Sequence, residues 1–287
     1  VYDGGISNLG DETIILTDTT LAAATLTPTV NGYSTVAINA NSVATLTGTN
    51  AEIVAAYAAD TASTVILDGD VDIEVSDNIT SAEANTLDAK TTGVVTATIS
   101  TTAIADLDDL TGTGNAYTIT VADSSVTAAA LNTVNAATTV NVTATAVTAI
   151  GGTAAQLATT YGGGITGLGN ETVTVSDGDV TAANLNTINA GTSVSVVATA
   201  VTNITGSRTE LATTYGGGMT GLGDETITVS DANITSTQAN TIDGYTTGAV
   251  TATISTTAIA DLDDLTGTGN AYTITVADSS VTAAALN

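Results

Sequence analysis

Residues 91–132, TTGVVTATISTTAIADLDDLTGTGNAYTITVADSSVTAAALN, recur as residues 246–287 with one difference, Val94 against Ala249. Two near-identical stretches of this length fold alike only where both meet the same surroundings. A stacked array supplies that condition, because each unit touches only the unit before it and the unit after it. The duplication therefore points to architecture rather than to a catalytic centre, which a domain builds once.

A shorter period lies inside the long one. The segments ETIILTD, VDIEVSD, YTITVAD, ETVTVSD, ETITVSD and again YTITVAD end at Asp18, Asp77, Asp123, Asp177, Asp231 and Asp278. Apolar residues alternate within them: Ile227 and Val229 face one way, Thr226 and Thr228 the other. Ile119 with Val121, Val173 with Val175 and Val140 with Val142 repeat the pattern. Period-two alternation predicts a strand with one buried face. Each strand leads to a short apolar-periodic segment, several opened by a hydroxyl with Glu or Gln three residues later. Thr49 with Glu52, Thr80 with Glu83, Ser207 with Glu210 and Thr235 with Gln238 fit the capping box of a helix start.

The last inward residue of each strand marks coils at Leu16, Ile38, Val75, Ala97, Val121, Val142, Val175, Val196, Val229, Ala252 and Val276. Most steps are about 22 residues, the length of a solenoid coil. Three longer steps contain GTNAEIVAAYAADTASTVILDGD, YGGGITGLGNE and YGGGMTGLGDE, read as loops inserted at one place on the cross-section. The expected fold is mainly β: an elongated parallel β-solenoid with a short helical turn in each coil, about 22–33 residues per coil. It reads as one continuous solenoid over residues 1–287, with units near 5–64, 65–115, 116–164, 165–218, 219–270 and a truncated 271–287. Asn287 falls in mid-repeat, so the chain reads as a segment of a longer one.

Composition narrows the chemistry. The chain has no Cys and no His, which removes thiolate metal sites, disulfides, thiol nucleophiles and the imidazole base of a hydrolytic triad. Lys90 and Arg208 are its only cations against 29 carboxylates, for a net charge of -27. Such a surface repels phosphate backbones and anionic lipid, so nucleic acid is not an expected partner. No apolar run reaches the length of a membrane span. Divalent cations are what this charge attracts. The acidic turns at Asp106, Asp108 and Asp109, their copies Asp261, Asp263 and Asp264, and the loop at Asp224 and Glu225 are the candidate calcium ligands.

The paired carboxylates of DLDDL are also the one candidate for acid–base catalysis. With Leu107 and Leu110 turned inward they read instead as an acidic helical turn, and no enzymatic activity is expected. GTG at 112–114 and GGG at 162–164 lack the lysine of a phosphate loop and read as turns. A second recurring set is Asp18, Asp77, Asp123, Asp177, Asp231 and Asp278 at strand exits, with Asn85, Asn132, Asn186, Asn240 and Asn287 in the helical halves. These are read as a structural ladder that links coils or satisfies backbone at turns.

At VSDGDVTAANLNTINAGTSVSV and VSDNITSAEANTLDAKTTGVVTATIS the chain resembles the long Thr-, Ala- and Asp-rich repeat arrays of giant bacterial surface and secreted proteins, especially those of cyanobacteria and proteobacteria. The resemblance implies an exported structural or adhesive protein, often calcium-associated, with a surface-layer or filament role. Its expected partners are further copies of itself, in head-to-tail or lateral arrays, and surface polysaccharide or a neighbouring cell. GGGMTGLGDE departs from the regular spacing of the calcium-binding nonapeptide repeat. An alternative reading makes the exposed Thr-x-Thr pairs, Thr118/Thr120, Thr172/Thr174, Thr226/Thr228 and Thr273/Thr275, a flat ligand- or ice-binding face. Ile15, Asp72, Glu74, Ser193 and Ser195 interrupt it.

Overall fold

The computed structural model describes residues 10–282. The architecture is α/β with several parallel sheets, helix taking 29% and strand 25%, rather than mainly β. Helix gains ground because the segments between strands are Ala-rich: NAEIVAAYAADT and AANLNTINAG form helices of 12 and 10 residues, longer than the short turns expected.

The first strands are β1 (Thr20–Ala22), β2 (Ile38–Asn39), β3 (Thr45–Gly48), β4 (Val65–Ile66), β5 (Asp72–Ile79), β6 (Val95–Ile99) and β7 (Ala116–Thr118). They continue as β8 (Ser125–Thr127), β9 (Val142–Thr143), β10 (Ala149–Gly152), β11 (Ile165–Thr166), β12 (Thr172–Val175) and β13 (Asp179–Thr181). The last are β14 (Asn203–Gly206), β15 (Thr226–Val229), β16 (Val250–Ile254) and β17 (Ala271–Ile274). The α-helices are α1 (Asn50–Thr61), α2 (Ser81–Asp88), α3 (Ile104–Leu107), α4 (Ala128–Ala136), α5 (Ala154–Tyr161), α6 (Ala182–Gly191), α7 (Arg208–Gly216), α8 (Ser236–Asp243) and α9 (Ile259–Leu262).

The chain divides into two compact units, interleaved in sequence. The first comprises Val1–Asp123, Thr133–Ala146 and Gly164–Thr166; the second comprises Ser124–Asn132, Val147–Gly163 and Gly167–Asn287. In the first unit the main sheet runs β1-β3-β5-β6-β7, beside the pairs β2-β4 and β9-β11. In the second unit the sheets run β12-β10-β8 and β13-β14-β15-β16-β17. Every pairing among these strands is parallel, and register partners lie between 20 and 27 residues apart.

The segments that follow β3, β8 and β10 carry a helix and a second strand before the next ladder partner, where inserted loops were expected or none at all, whereas those that follow β5, β6, β15 and β16 carry a helix alone. Ile38 pairs with Val65, whereas Val75 pairs with Gly48, so the long Ile38-to-Val75 step joins two different ladders. The segment read there as an insertion holds α1 and β4. YGGGITGLGNE holds β11, and in YGGGMTGLGDE Thr220 bridges Val197. Two-residue strands are too short for alternation to reveal them. Val140, expected to face inward, is 39% exposed. Its amide donates to Thr138 Oγ1 at 3.1 Å, a local hydroxyl turn that delays the strand to Val142.

The two ladders exchange places at defined strands. In the first unit β7 pairs with β6 along one edge, while its flanking residues Asn115 and Thr120 bridge Thr138 and Thr143 along the other. In the second unit β12 pairs with β10 on one side, and its Thr174 bridges Val197 on the other. These are segments of the kind YTITVAD and ETVTVSD, whose alternation is long enough to serve two neighbours.

Inward residues stack in columns at the parallel strand spacing. Leu46, Ile73 and Val95 are register neighbours and fully buried. In the second unit Val180, Ile204, Ile227 and Val250 form the equivalent column. Each such aliphatic side chain contributes about 2 kcal/mol by leaving water. Small residues hold the corners tight: a Cβ on Gly206 would lie 2.6 Å from the Ala182 Cβ, and one on Gly152 would lie 2.9 Å from the Ala128 Cβ.

Candidate functional site

The N-terminus of a helix leaves backbone amides without intrahelical partners. The capping boxes Thr49–Glu52, Thr80–Glu83, Ser207–Glu210 and Thr235–Gln238 are present, and Thr153–Gln156 on α5 is a fifth that the sequence reading missed. The amide and hydroxyl of Thr80 hold the Glu83 carboxyl below its usual range, and those of Ser207 do the same for Glu210.

The first amide of the helix is satisfied from elsewhere. Asn50 N donates to Asp77 Oδ1 at 2.8 Å, Ile104 N to Asp123 Oδ2 at 2.7 Å, and Ala154 N to Asp177 Oδ1 at 2.8 Å. Arg208 N donates to Asp231 Oδ2 at 2.6 Å and Ile259 N to Asp278 Oδ2 at 2.7 Å. Asp123, Asp177, Asp231 and Asp278 follow a strand of the next coil, whereas Asp77, expected at a strand exit, lies within β5. On α2 and α8 a hydroxyl takes its place: Ser81 N donates to Thr101 Oγ1 and Ser236 N to Thr256 Oγ1, both at 3.1 Å. Asp18 is exposed at the approach to β1.

The recurring asparagines work at the other side of the helices. Asn132 Nδ2 donates to Gln156 O at 2.9 Å and its Oδ1 accepts from Thr160 Oγ1 at 2.8 Å. Asn186 does the same with Glu210 O at 3.0 Å and Thr214 Oγ1 at 2.8 Å. Asn85 reaches Asp109 O and Thr111 N, and Asn240 reaches Asp264 O and Thr266 N. Each amide spans two successive coils, satisfying a carbonyl with its nitrogen and a donor with its oxygen. Asn287 lies outside the described residues.

Two buried carboxyls repeat at Glu171 and Glu225, each about 1% exposed. Glu225 Oε1 accepts the Tyr215 hydroxyl, and its Oε2 accepts Gly223 N at 2.8 Å and Asp224 N at 3.1 Å. Glu171 has the matching set in Tyr161 Oη, Gly169 N and Asn170 N. The Tyr215 ring stacks on Tyr245 at a centroid distance of 4.9 Å. Burial and then the neighbouring Glu171 push the Tyr161 hydroxyl well above the ordinary phenol range. Burial and the charge of Asp88 raise Tyr117; burial and Asp243 push Tyr272 up to about 12.

Of the calcium ligands expected from the sequence, Glu225 is already engaged by hydrogen-bond donors. Glu225 is walled in by donors, so its oxygens are committed before any cation arrives. Asp106, Asp109, Asp261, Asp263, Asp264 and Asp224 are exposed and Asp108 is half-buried. Among the described residues no group of three or more carboxylates converges to hold a metal ion. Asp106 sits in the first turn of α3 and Asp261 in that of α9, where a negative charge favours the helix dipole. A groove is lined by Asp88, Thr91, Gly112 and Asn115 among others. Asn115 Nδ2 donates to Asp88 at 2.7 Å and its Oδ1 accepts Val95 N at 2.8 Å.

Outward threonines stack in one column, Thr181, Thr205, Thr228 and Thr251, within the β13-to-β16 ladder. The adjoining column is mixed, with Asp179, Asn203 and Thr226. No helix is long and apolar enough to cross a membrane among the described residues. No family model, no curated protein and no solved structure matches the chain.

Proposed function

We propose that the chain is the structural repeat region of an extracellular bacterial cell-surface protein, a filament, surface-layer or adhesin stalk without catalysis, each unit built as a parallel solenoid. The observation that carries this reading is the recurrent capping of one coil's helix by an aspartate of the next, at Asp77, Asp123, Asp177, Asp231 and Asp278. The polar residues that repeat are spent on holding coils together, and the asparagine bridges use theirs in the same way. What such a protein contributes is reach and stiffness. Its partners are further copies in head-to-tail or lateral arrays, and the polysaccharide or cells that the array meets.

Gold-labelled antibodies raised against the chain test the assignment on intact cells of the source organism. A continuous surface coat or surface filaments are the expected pattern. Label confined to the cell interior would overturn it.

A further inference from the structure

The chain holds five Asn-x-Thr triplets, at Asn78, Asn141, Asn170, Asn203 and Asn233. That triplet is the acceptor pattern of asparagine-linked glycosylation, which needs an accessible amide with a hydroxyl two residues on. In a chain so rich in threonine the pattern alone carries little, and the structure separates the five. Asn170 Oδ1 accepts Ser193 Oγ at 2.8 Å and Asn203 Oδ1 accepts Thr226 Oγ1 at 3.0 Å. Asn141 leads into β9, where Thr143 is bridged by Thr120 on one side and paired with Thr166 on the other.

Asn78 and Asn233 stand apart. Both are exposed, and among the described residues neither side-chain amide has a hydrogen-bond partner. Ile79 and Ile234 are buried, while Thr80 and Thr235 are extended and exposed. Alternate residues of an extended segment share a face, so each triplet shows its amide and its hydroxyl to solvent together.

The two triplets open related segments, NITSAEANTLDAK at 78–90 and NITSTQANTIDGY at 233–245. Exposed positions differ between them: Ala82, Glu83 and Lys90 are Thr237, Gln238 and Tyr245 in the second. The residues held in common have a place in the fold. Ile79, Ser81 and Ala84 are buried, as are their counterparts, Thr80 and Thr235 cap helices, and Asn85 and Asn240 bridge coils. Thr86 and Thr241 donate to the carbonyls of Ala82 and Thr237, and Asp88 and Asp243 accept from Asn115 and Asn270. Asn78 and Asn233 are the exception, shared yet without a contact that accounts for them. Nor does the fold ask for asparagine there, since Thr47, Gly151 and Thr205 stand two residues before the capping hydroxyls of α1, α5 and α7.

We infer that Asn78 and Asn233 are acceptors for asparagine-linked glycosylation, with a sugar pyrophosphate ester as donor, carried on a lipid or on a nucleotide. The Asn Nδ2 attacks the anomeric carbon of the sugar. A C–N bond forms as the C–O bond to phosphate breaks, the pyrophosphate group leaves with the electron pair, and the amide proton passes to a base of the transferase. The inference rests on the cell-surface reading above, which brings the chain to glycosylating enzymes.

The test takes the protein from its source organism, cuts it with an aspartate-specific protease and fragments the peptides by a method that leaves a glycan on its residue. Sugar mass on Asn78 and on Asn233 is expected. One fixed multi-sugar addition identifies a lipid-carried donor, and single-sugar steps a nucleotide-carried one. Asn78→Gln and Asn233→Gln should each remove one glycan, and the unglycosylated variants should keep the denaturant midpoint of the unglycosylated parent, because a surface side chain without contacts contributes little to stability. Either asparagine found wholly unmodified overturns its assignment, and glycan confined to Asn141, Asn170 or Asn203 overturns the inference as a whole. Surface label on cells whose chain carries no glycan would overturn this inference and leave the proposed function standing, whereas label confined to the interior would overturn the proposed function.

Discussion

Asp231 accepts the backbone amide of Arg208 at 2.6 Å from 23 residues further along the chain, so the helix start of one coil is completed by the strand exit of the next. Ser207 caps the same helix from within, leaving Asp231 the amide that a local cap cannot reach. Asp231→Ala is expected to cost about 1 kcal/mol, the usual scale of a lost helix cap. Denaturant unfolding of the full chain checks it, and an unchanged midpoint would show the contact to be incidental.

Asn186→Ala removes two inter-coil hydrogen bonds and leaves Thr214, fully buried, with a weakened set of partners. The expected loss is about 1–3 kcal/mol. Asn186→Asp keeps the acceptor for Thr214 but loses the donor to Glu210 O, so its loss should fall between zero and that of the alanine variant.

Tyr215→Phe strips Glu225 of its hydroxyl donor in a site about 1% exposed. A destabilisation of roughly 1–3 kcal/mol is expected. Glu225→Gln should also destabilise, and the double variant should cost less than the two single losses added, since both break one unit. Strict additivity measured by denaturant unfolding would dissolve the pair.

High pH should unfold the chain through its buried phenols. Tyr117, Tyr161 and Tyr272 are raised above the ordinary phenol value, so the neutral form is the one the fold accepts. The stability they sustain is complete below about pH 10 and is lost as pH rises from there through the raised folded values. Absorbance of ionised tyrosine at rising pH should therefore show a late, cooperative step coincident with loss of circular dichroism. Titration of all tyrosines near pH 10 with the fold intact would contradict it.

Calcium exchange for chelator at fixed ionic strength should leave the melting temperature unchanged, because Glu225 is committed to three donors and no carboxylate group converges among the described residues. A calcium-dependent rise would mean that exposed turns such as Asp106–Asp109 rearrange to bind. A thermal hysteresis assay should likewise read zero, since the Thr181-to-Thr251 column stands beside Asp179 and Asn203 rather than a second threonine column.

Local order was legible in the sequence wherever its cause was local. Alternation in ETITVSD determined that Ile227 and Val229 turn inward, and both are buried. A hydroxyl followed by Glu or Gln determined where α1, α2, α7 and α8 begin. The recurrence of Asp77, Asp123, Asp177 and Asp231 was visible too, but their partners were not. Those partners lie 19 to 27 residues back, and the interval changes with the length of each coil, so no fixed spacing marks them. Tertiary structure alone decided that Ile38 and Val75 belong to different ladders, that Val140 is exposed, and that Glu225 is buried against Tyr215. Burial depends on which strand arrives alongside, and that is a property of the neighbouring coil rather than of the residues themselves.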